Sequence, residues 1–182
     1  MTQVASAISG CGGLRTKAAE RSFGKEHAQA GQTDPSRTLR LACWANLTEV
    51  RGTLQHIHDF LTVQDLPCET VDDLDLVLSE ALSNIVRHGN MGGDGRIDCH
   101  LVIRDISVEC RLSDTGVAFD PSGAGLTAPD PMAFSEGGYG WFLIRSLTHH
   151  ITYARDGACN VLCFSILRCA GCGSEWCRAA CQ

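Results

Sequence analysis

The 182-residue sequence has no apolar run approaching the roughly 18 residues that cross a bilayer, which argues against an integral membrane protein. It also lacks an N-terminal apolar signal core: Val4, Ala5, Ala7 and Ile8 are broken by Ser6 and followed by Gly10, Gly12 and Gly13. Lysine is nearly absent. Lys17 and Lys25 are the only two, and neither sits in a G-x-x-x-x-G-K-[ST] phosphate loop. No H-E-x-x-H zinc motif and no G-x-S-x-G nucleophile elbow occur. Residues 123–128 match a dinucleotide fingerprint only loosely, with no strand before them and no helix directly after.

Positive charge is scarce as well. Fifteen Lys and Arg stand against 21 Asp and Glu, for a net charge of −6, and such a field repels polyanions. Direct nucleic-acid binding is therefore not expected. The balance is +3 over residues 1–40 and −9 over the remainder. Cysteine, by contrast, is plentiful. Eleven residues are too few for a disulfide scaffold of this length, and the number is odd. With no secretory signal, these cysteines are expected to be mostly small buried hydrophobes in a reducing cytoplasm.

Residues 1–36 have no sustained apolar period and read as a disordered extension. Residues 38–45 alternate as a strand. Asn46, with Glu49 three residues on, marks a helix start, and Leu47, Val50, Leu54, Ile57 and Leu61 follow at helical spacing. Pro67 interrupts the chain. Thr70 and Asp73 mark a second start, and Leu74, Val77, Leu78, Ala81, Leu82 and Ile85 carry a helix to Gly89.

Strands are expected over 96–103 and 106–113, and again over 150–155 and 159–167 around the turn signal Asp156-Gly157. Between the pairs, residues 114–137 are loop, and Gly138 opens a last helix. Strand, two helices, hairpin, loop, helix and hairpin make an α+β fold: a two-layer sandwich of helices on one face of a mostly antiparallel sheet.

Three clusters carry chemistry. Glu80, Asn84, Arg87 and His88 lie within LSEALSNIVRHG, and four-residue spacing puts Glu80, Asn84 and His88 on one stripe beside the apolar face. A carboxylate next to an amide oxygen suits a hard cation such as Mg²⁺. An ordinary solvated helix face would look the same.

Asp114 and Gly116, in DTGVAFD after a strand, can receive a ligand amine and allow close backbone approach, or can simply form a turn. Gly138 and Gly140, in GGYG before a helix, can present free N–H groups to phosphate oxygens, or can be a flexible entry.

Taken together, the three clusters resemble those of the GHKL ATPase superfamily (gyrase, Hsp90, histidine kinase, MutL), and within it the bacterial anti-sigma-factor serine/threonine kinases. LSEALSNIVRHG is similar to that family's N box, LSDTGVAFDP to its first glycine box, and GGYGWFLIRSL to its second. The resemblance covers residues 37–168, leaving residues 1–36 and 169–182 as an extension and a tail.

The resemblance implies a set of roles. Glu80 would be the general base, and Asn84 the ligand of Mg²⁺ on the phosphates of ATP. Arg87 would lie near phosphate, and His88, where the family also has His, would belong to the ATP-binding set. Asp114 would accept the adenine amino group, Gly116 would admit the base, and Gly138 and Gly140 would contact phosphates under a lid formed by 121–137. It further implies an anti-anti-sigma protein and a sigma factor as partners, a homodimer, and a cytoplasmic bacterial setting. The runner-up reading is a non-catalytic ATP-binding module of the same fold, and a third is another kind of GHKL ATPase.

The sequence departs from the family pattern at Ala118, where Gly or Pro is common, and at Trp141, where Leu is usual. His56 and His58 lie on the first helix and read as surface or core residues, since nothing there offers a phosphoacceptor helix. Cys169, Cys172, Cys177 and Cys181 put four thiols into 13 residues. Zinc binding, redox sensing and a disordered thiol-rich tail are all compatible with that spacing.

Overall fold

The computed structural model describes residues 34–89, 95–128 and 139–168. The Asp34 side chain caps a 3₁₀ turn over Pro35–Arg37 by accepting the Ser36 amide at 2.9 Å, and Arg37 pairs with Asp105 at 3.1 Å. The chain then forms β1 (Thr38–Trp44), α1 (Leu47–Thr62) and α2 (Cys68–Asn84), with a wider π turn over Ile85–Gly89. After these come β2 (Arg96–Ile103), β3 (Ser107–Asp114), α3 (Tyr139–Leu147), β4 (His150–Asp156) and β5 (Cys159–Leu167).

The five strands form one sheet in the order β1-β2-β3-β5-β4, antiparallel throughout. Register places core side chains in rows across it. Cys99 lies opposite Leu112, which faces Leu162, which faces Tyr153. Leu101, Cys110, Phe164 and Ile151 form the next row. These rows pack with Val50, Ile57 and Leu61 of α1, Leu74, Val77, Leu78, Ala81 and Leu82 of α2, and Ile144 of α3 in one core. The alternate positions Arg96, Asp98, His100, Glu109 and Arg111 take the other face, as period-two alternation demands. Full burial of each Leu or Phe contributes about 1.5–3 kcal/mol.

Asn46 caps α1 as expected, accepting the Glu49 amide at 3.0 Å. The start of α2 differs from expectation. It begins at Cys68 after Pro67, with no side-chain cap, and Thr70 is a buried residue inside the first turn. Leu47 opens α1 but is 65% exposed, so it lies off the apolar face. In the last hairpin Asp156 pairs with Cys159, which leaves Gly157 at φ +57° as the first of two loop residues.

Cys43, Cys99, Cys110 and Cys163 are buried thiols, as hydrophobes would be. Burial pushes all four thiols upward, Cys99 to about 12. Two cysteines depart from the expectation: Cys68 is exposed, and Cys159 is joined in a disulfide.

Candidate functional site

Two of the three sequence clusters meet through Gly140. Glu80 and Asn84 are one turn apart on α2, half-buried. Gly140, in the first turn of α3, lies directly against them. A Cβ there would come 2.6 Å from Glu80 Oε2 and 3.6 Å from Asn84 Nδ2. Only glycine lets the helix end approach this carboxylate and amide. The first-turn amides of an α-helix have no intrahelical acceptor, and the helix start carries the positive end of its dipole, so the start of α3 is a place that favours an anion.

The expected single stripe does not run straight to His88. The α-helical hydrogen bonding ends at Asn84, and the Ile85 amide is shared between the carbonyls of Ala81 and Leu82. The wider turn that follows carries Arg87 and His88, both exposed. It also delivers Gly89 to the third element of the site. The Gly89 carbonyl accepts the Val117 amide at 2.8 Å. A Cβ on Gly116 would collide with that same carbonyl and lie 2.7 Å from Asp114 Oδ1. The close approach anticipated for Gly116 is thus made to the N-box helix end.

Asp114 ends β3 with 7% of its surface exposed. Its Oδ1 accepts the Gly116 amide at 2.8 Å and the Asn160 side-chain amide at 2.9 Å. Asn160, paired with Asp114 across β3 and β5, was not singled out in the sequence. Its only signal there is a polar residue near the start of a mostly apolar strand. Tyr153, Arg155 and Arg145 carry no motif signal in the sequence; their roles come from contacts made across the last hairpin and to the loop after Asp114.

Arg145 of α3 donates to the carbonyls of Ala124 and Pro121 at 2.6 and 2.7 Å, anchoring the loop that follows Asp114. Phe119 of that loop stacks on Trp141, with centroids 5.2 Å apart and planes at 21°, which gives the unusual Trp141 a partner. Asp120 accepts the Ser122 amide at 2.9 Å, and this bond lowers its carboxyl below the usual range.

A cavity of about 480 Å³ opens between this loop, α3 and the outer strands, walled by Phe119, Trp141, Arg145, Ile151, Tyr153 and Leu162 among others. Glu80, Asn84 and Asp114 do not line it. The polar constellation of Glu80, Asn84 and Asp114 thus lies apart from this hollow.

The residues fit a magnesium–nucleotide group. Asn84 Nδ2 is buried with no hydrogen-bond partner among the described residues, a donor that suits a phosphate oxygen, while the amide's Oδ1 is the atom that could ligate a cation beside the Glu80 carboxylate. Mg²⁺ needs only one or two protein oxygen ligands when phosphates and water complete its shell. No cluster of three His, Cys, Asp or Glu able to hold a metal exists among the described residues. Gly138 and the four cysteines at 169, 172, 177 and 181 lie outside the described residues. Among the described residues no helix is long and apolar enough to cross a membrane.

An antiparallel sheet under three helices, with an Asp at a strand end and a glycine-bearing helix start facing Glu and Asn, defines a GHKL-type ATPase domain. The chain belongs to the histidine kinase-like ATPase domain family, whose sequence profile matches residues 43–166. Within it, the chain is similar to the serine-protein kinase RsbW of Listeria monocytogenes serotype 4a (strain HCC23). The two are 32% identical over 101 residues, covering 52% of this chain and 64% of that kinase. The RsbW of Bacillus pumilus (strain SAFR-032) is 29% identical over 102 residues, covering 51% and 63%. The chain therefore matches somewhat under two thirds of the length of these kinases. Its fold is similar to a crystal structure of RsbU and RsbW domains from Mycobacterium tuberculosis, with a TM-score of 0.51 at 14% identity. That match covers 73% of this chain and 33% of the other.

Proposed function

We propose that the chain is a serine/threonine protein kinase of the partner-switching kind. It binds ATP with Mg²⁺, transfers the terminal phosphoryl group to a Ser or Thr of a small anti-anti-sigma protein, and sequesters a sigma factor when that partner is absent. The observation that carries this reading is the Gly140 contact, which places a carboxylate and an amide at the start of α3.

Phosphoryl transfer asks the protein for position and charge neutralisation more than for covalent chemistry. Magnesium, held by Asn84, would neutralise phosphate charge. The chain's own groups do the rest. Glu80 accepts the proton of the attacking hydroxyl, within reach of the first turn of α3. The start of α3 binds phosphate oxygens. Asp114 receives the amino edge of the base. Arg87, exposed on the π turn, adds positive charge to a region whose balance over residues 41–182 is −9. The kinase works in the cytoplasm of a bacterium, and the homodimer is its expected state.

The test is incubation with ATP, Mg²⁺ and a candidate anti-anti-sigma protein, with phosphate followed on the partner. Glu80→Ala should abolish transfer while leaving ATP binding in place. If the wild-type protein binds ATP and the variant's regulatory effect on sigma-dependent transcription equals the wild type's, the non-catalytic module is the right description.

A further inference from the structure

The carboxylate of Asp114 is held by a second buried side chain whose every polar capacity is used. Asn160 is 4% exposed. Its Nδ2 donates to Asp114 Oδ1 at 2.9 Å and to the Val117 carbonyl at 3.0 Å. Its Oδ1 accepts from the Tyr153 hydroxyl at 2.7 Å and from Arg155 Nη1 at 2.5 Å. The amide has two donor hydrogens and two acceptor lone pairs, so this set is complete.

The same set fixes which way the amide faces. Turned over, its carbonyl would meet a carboxylate and the Val117 carbonyl, and its NH₂ group would meet a guanidinium. The clamp is itself braced. Arg155 Nη1 also donates to the Gly116 carbonyl at 2.7 Å, and the Tyr153 hydroxyl accepts the Phe119 amide at 3.0 Å.

We infer that Asn160 is a positioning residue that sets base specificity, by pinning Asp114 so that it offers an acceptor to a purine 6-amino group and opposes a 6-oxo group. This rests on the nucleotide-site reading above. Both hydrogen bonds that Asp114 accepts from described residues fall on Oδ1. The carboxylate cannot rotate without breaking two of them, so an incoming carbonyl oxygen cannot turn it aside. A site whose polar groups are fixed and buried rejects the wrong partner strongly, because mismatch leaves those groups unpaired. Freed of Asn160, the carboxylate keeps the Gly116 amide alone and can yield to either base.

The experiment is calorimetric titration of the full chain with ATP and with GTP, each with Mg²⁺, for the wild type and for Asn160→Ala. ATP affinity should fall about tenfold or more, the usual scale for a lost hydrogen bond to a charged group. GTP affinity should change little, so the ATP-to-GTP ratio narrows. Phosphate and metal contacts are common to both nucleotides. An equal loss for both, with the ratio kept, would make Asn160 merely structural and overturn this inference alone. A wild type that binds neither nucleotide would overturn the nucleotide reading with it. Should Asn160→Ala fail to fold by circular dichroism, Tyr153→Phe keeps the ring and removes the hydroxyl. A narrower ratio in that variant supports the clamp, and an unchanged ratio overturns it.

Discussion

At Gly140 a single hydrogen occupies the place where any other residue would put a carbon 2.6 Å from Glu80 Oε2. The neighbour is the flexible end of a side chain, so the fold can accommodate an intruding methyl by moving Glu80 away. Gly140→Ala should therefore reduce phosphoryl transfer by about a hundredfold, the scale of losing a positioned base, with little change in melting temperature. Gly116 presents the opposite case. The atoms its Cβ would strike belong to the Gly89 backbone, which cannot rotate aside. Gly116→Ala should cost about 1–3 kcal/mol of stability, as overpacking does, and denaturant unfolding measures it directly. The cysteines separate just as sharply. Raised thiols ionise little, and the thiolate is the reactive form. Iodoacetamide at pH 8 should label Cys68 on the folded protein and leave Cys99 and Cys110 unlabelled until denaturant is added, as peptide mass mapping can show.

At the scale of elements, α1 depends on Asn46 for its entry. Asn46→Ala should lower stability by about 1 kcal/mol with no effect on nucleotide binding. The outward face of β2 carries a pH-sensitive position. His100 is cross-strand neighbour to Arg40 and Arg111, and its Nε2 is buried without a hydrogen-bond partner among the described residues. Burial first, then Arg40, Arg111 and Arg104, holds its pKa below the usual 6.5, against a smaller opposing pull from Glu109. The unfolded chain therefore takes up this proton first as pH falls. Stability is intact above 6.5 and declines as pH drops through 6.5 towards the lower folded-state value. His100→Gln should flatten the fall in stability between about pH 7 and 5, read from denaturation midpoints across that range. The π turn after α2 has a more direct bearing on function. It leaves the α-helical ladder at Asn84 and brings Gly89 against Gly116, joining the Glu80–Asn84 end of the candidate site to Asp114.

For the whole molecule, ligand and fold are linked. A nucleotide that touches α2, β3 and α3 together binds only the assembled domain. ATP with Mg²⁺ should raise the melting temperature, with the rise growing with concentration, and chelation by EDTA should remove most of it. An unchanged transition at saturating ATP and Mg²⁺ would count against the site itself.

Much of this architecture was written locally. Helical spacing placed α1 and α2, alternation and turn signals placed all five strands within a residue or two, and Asn46 with Glu49 announced its own cap, because each depends on neighbours within a turn or a strand. Glu80, Asn84, Asp114, Gly116 and Gly140 were visible as residue types in motifs. Their mutual distances were not. The start of α2 is not legible in this way: Thr70 looks like a cap in sequence, whereas in the fold its hydroxyl reaches the carbonyl of Leu167, 97 residues away.

The sequence by itself determined the element order, the apolar faces and the types of group available for phosphate chemistry, since periodicity and side-chain chemistry are local properties. The tertiary structure alone decided that Gly140 would face Glu80, that Gly89 would meet Gly116, and that Asn160, 46 residues beyond Asp114, would hold its carboxylate. Those contacts exist only once the sheet register closes across β3 and β5 and α3 packs on α2. No spacing within a single strand or helix encodes them.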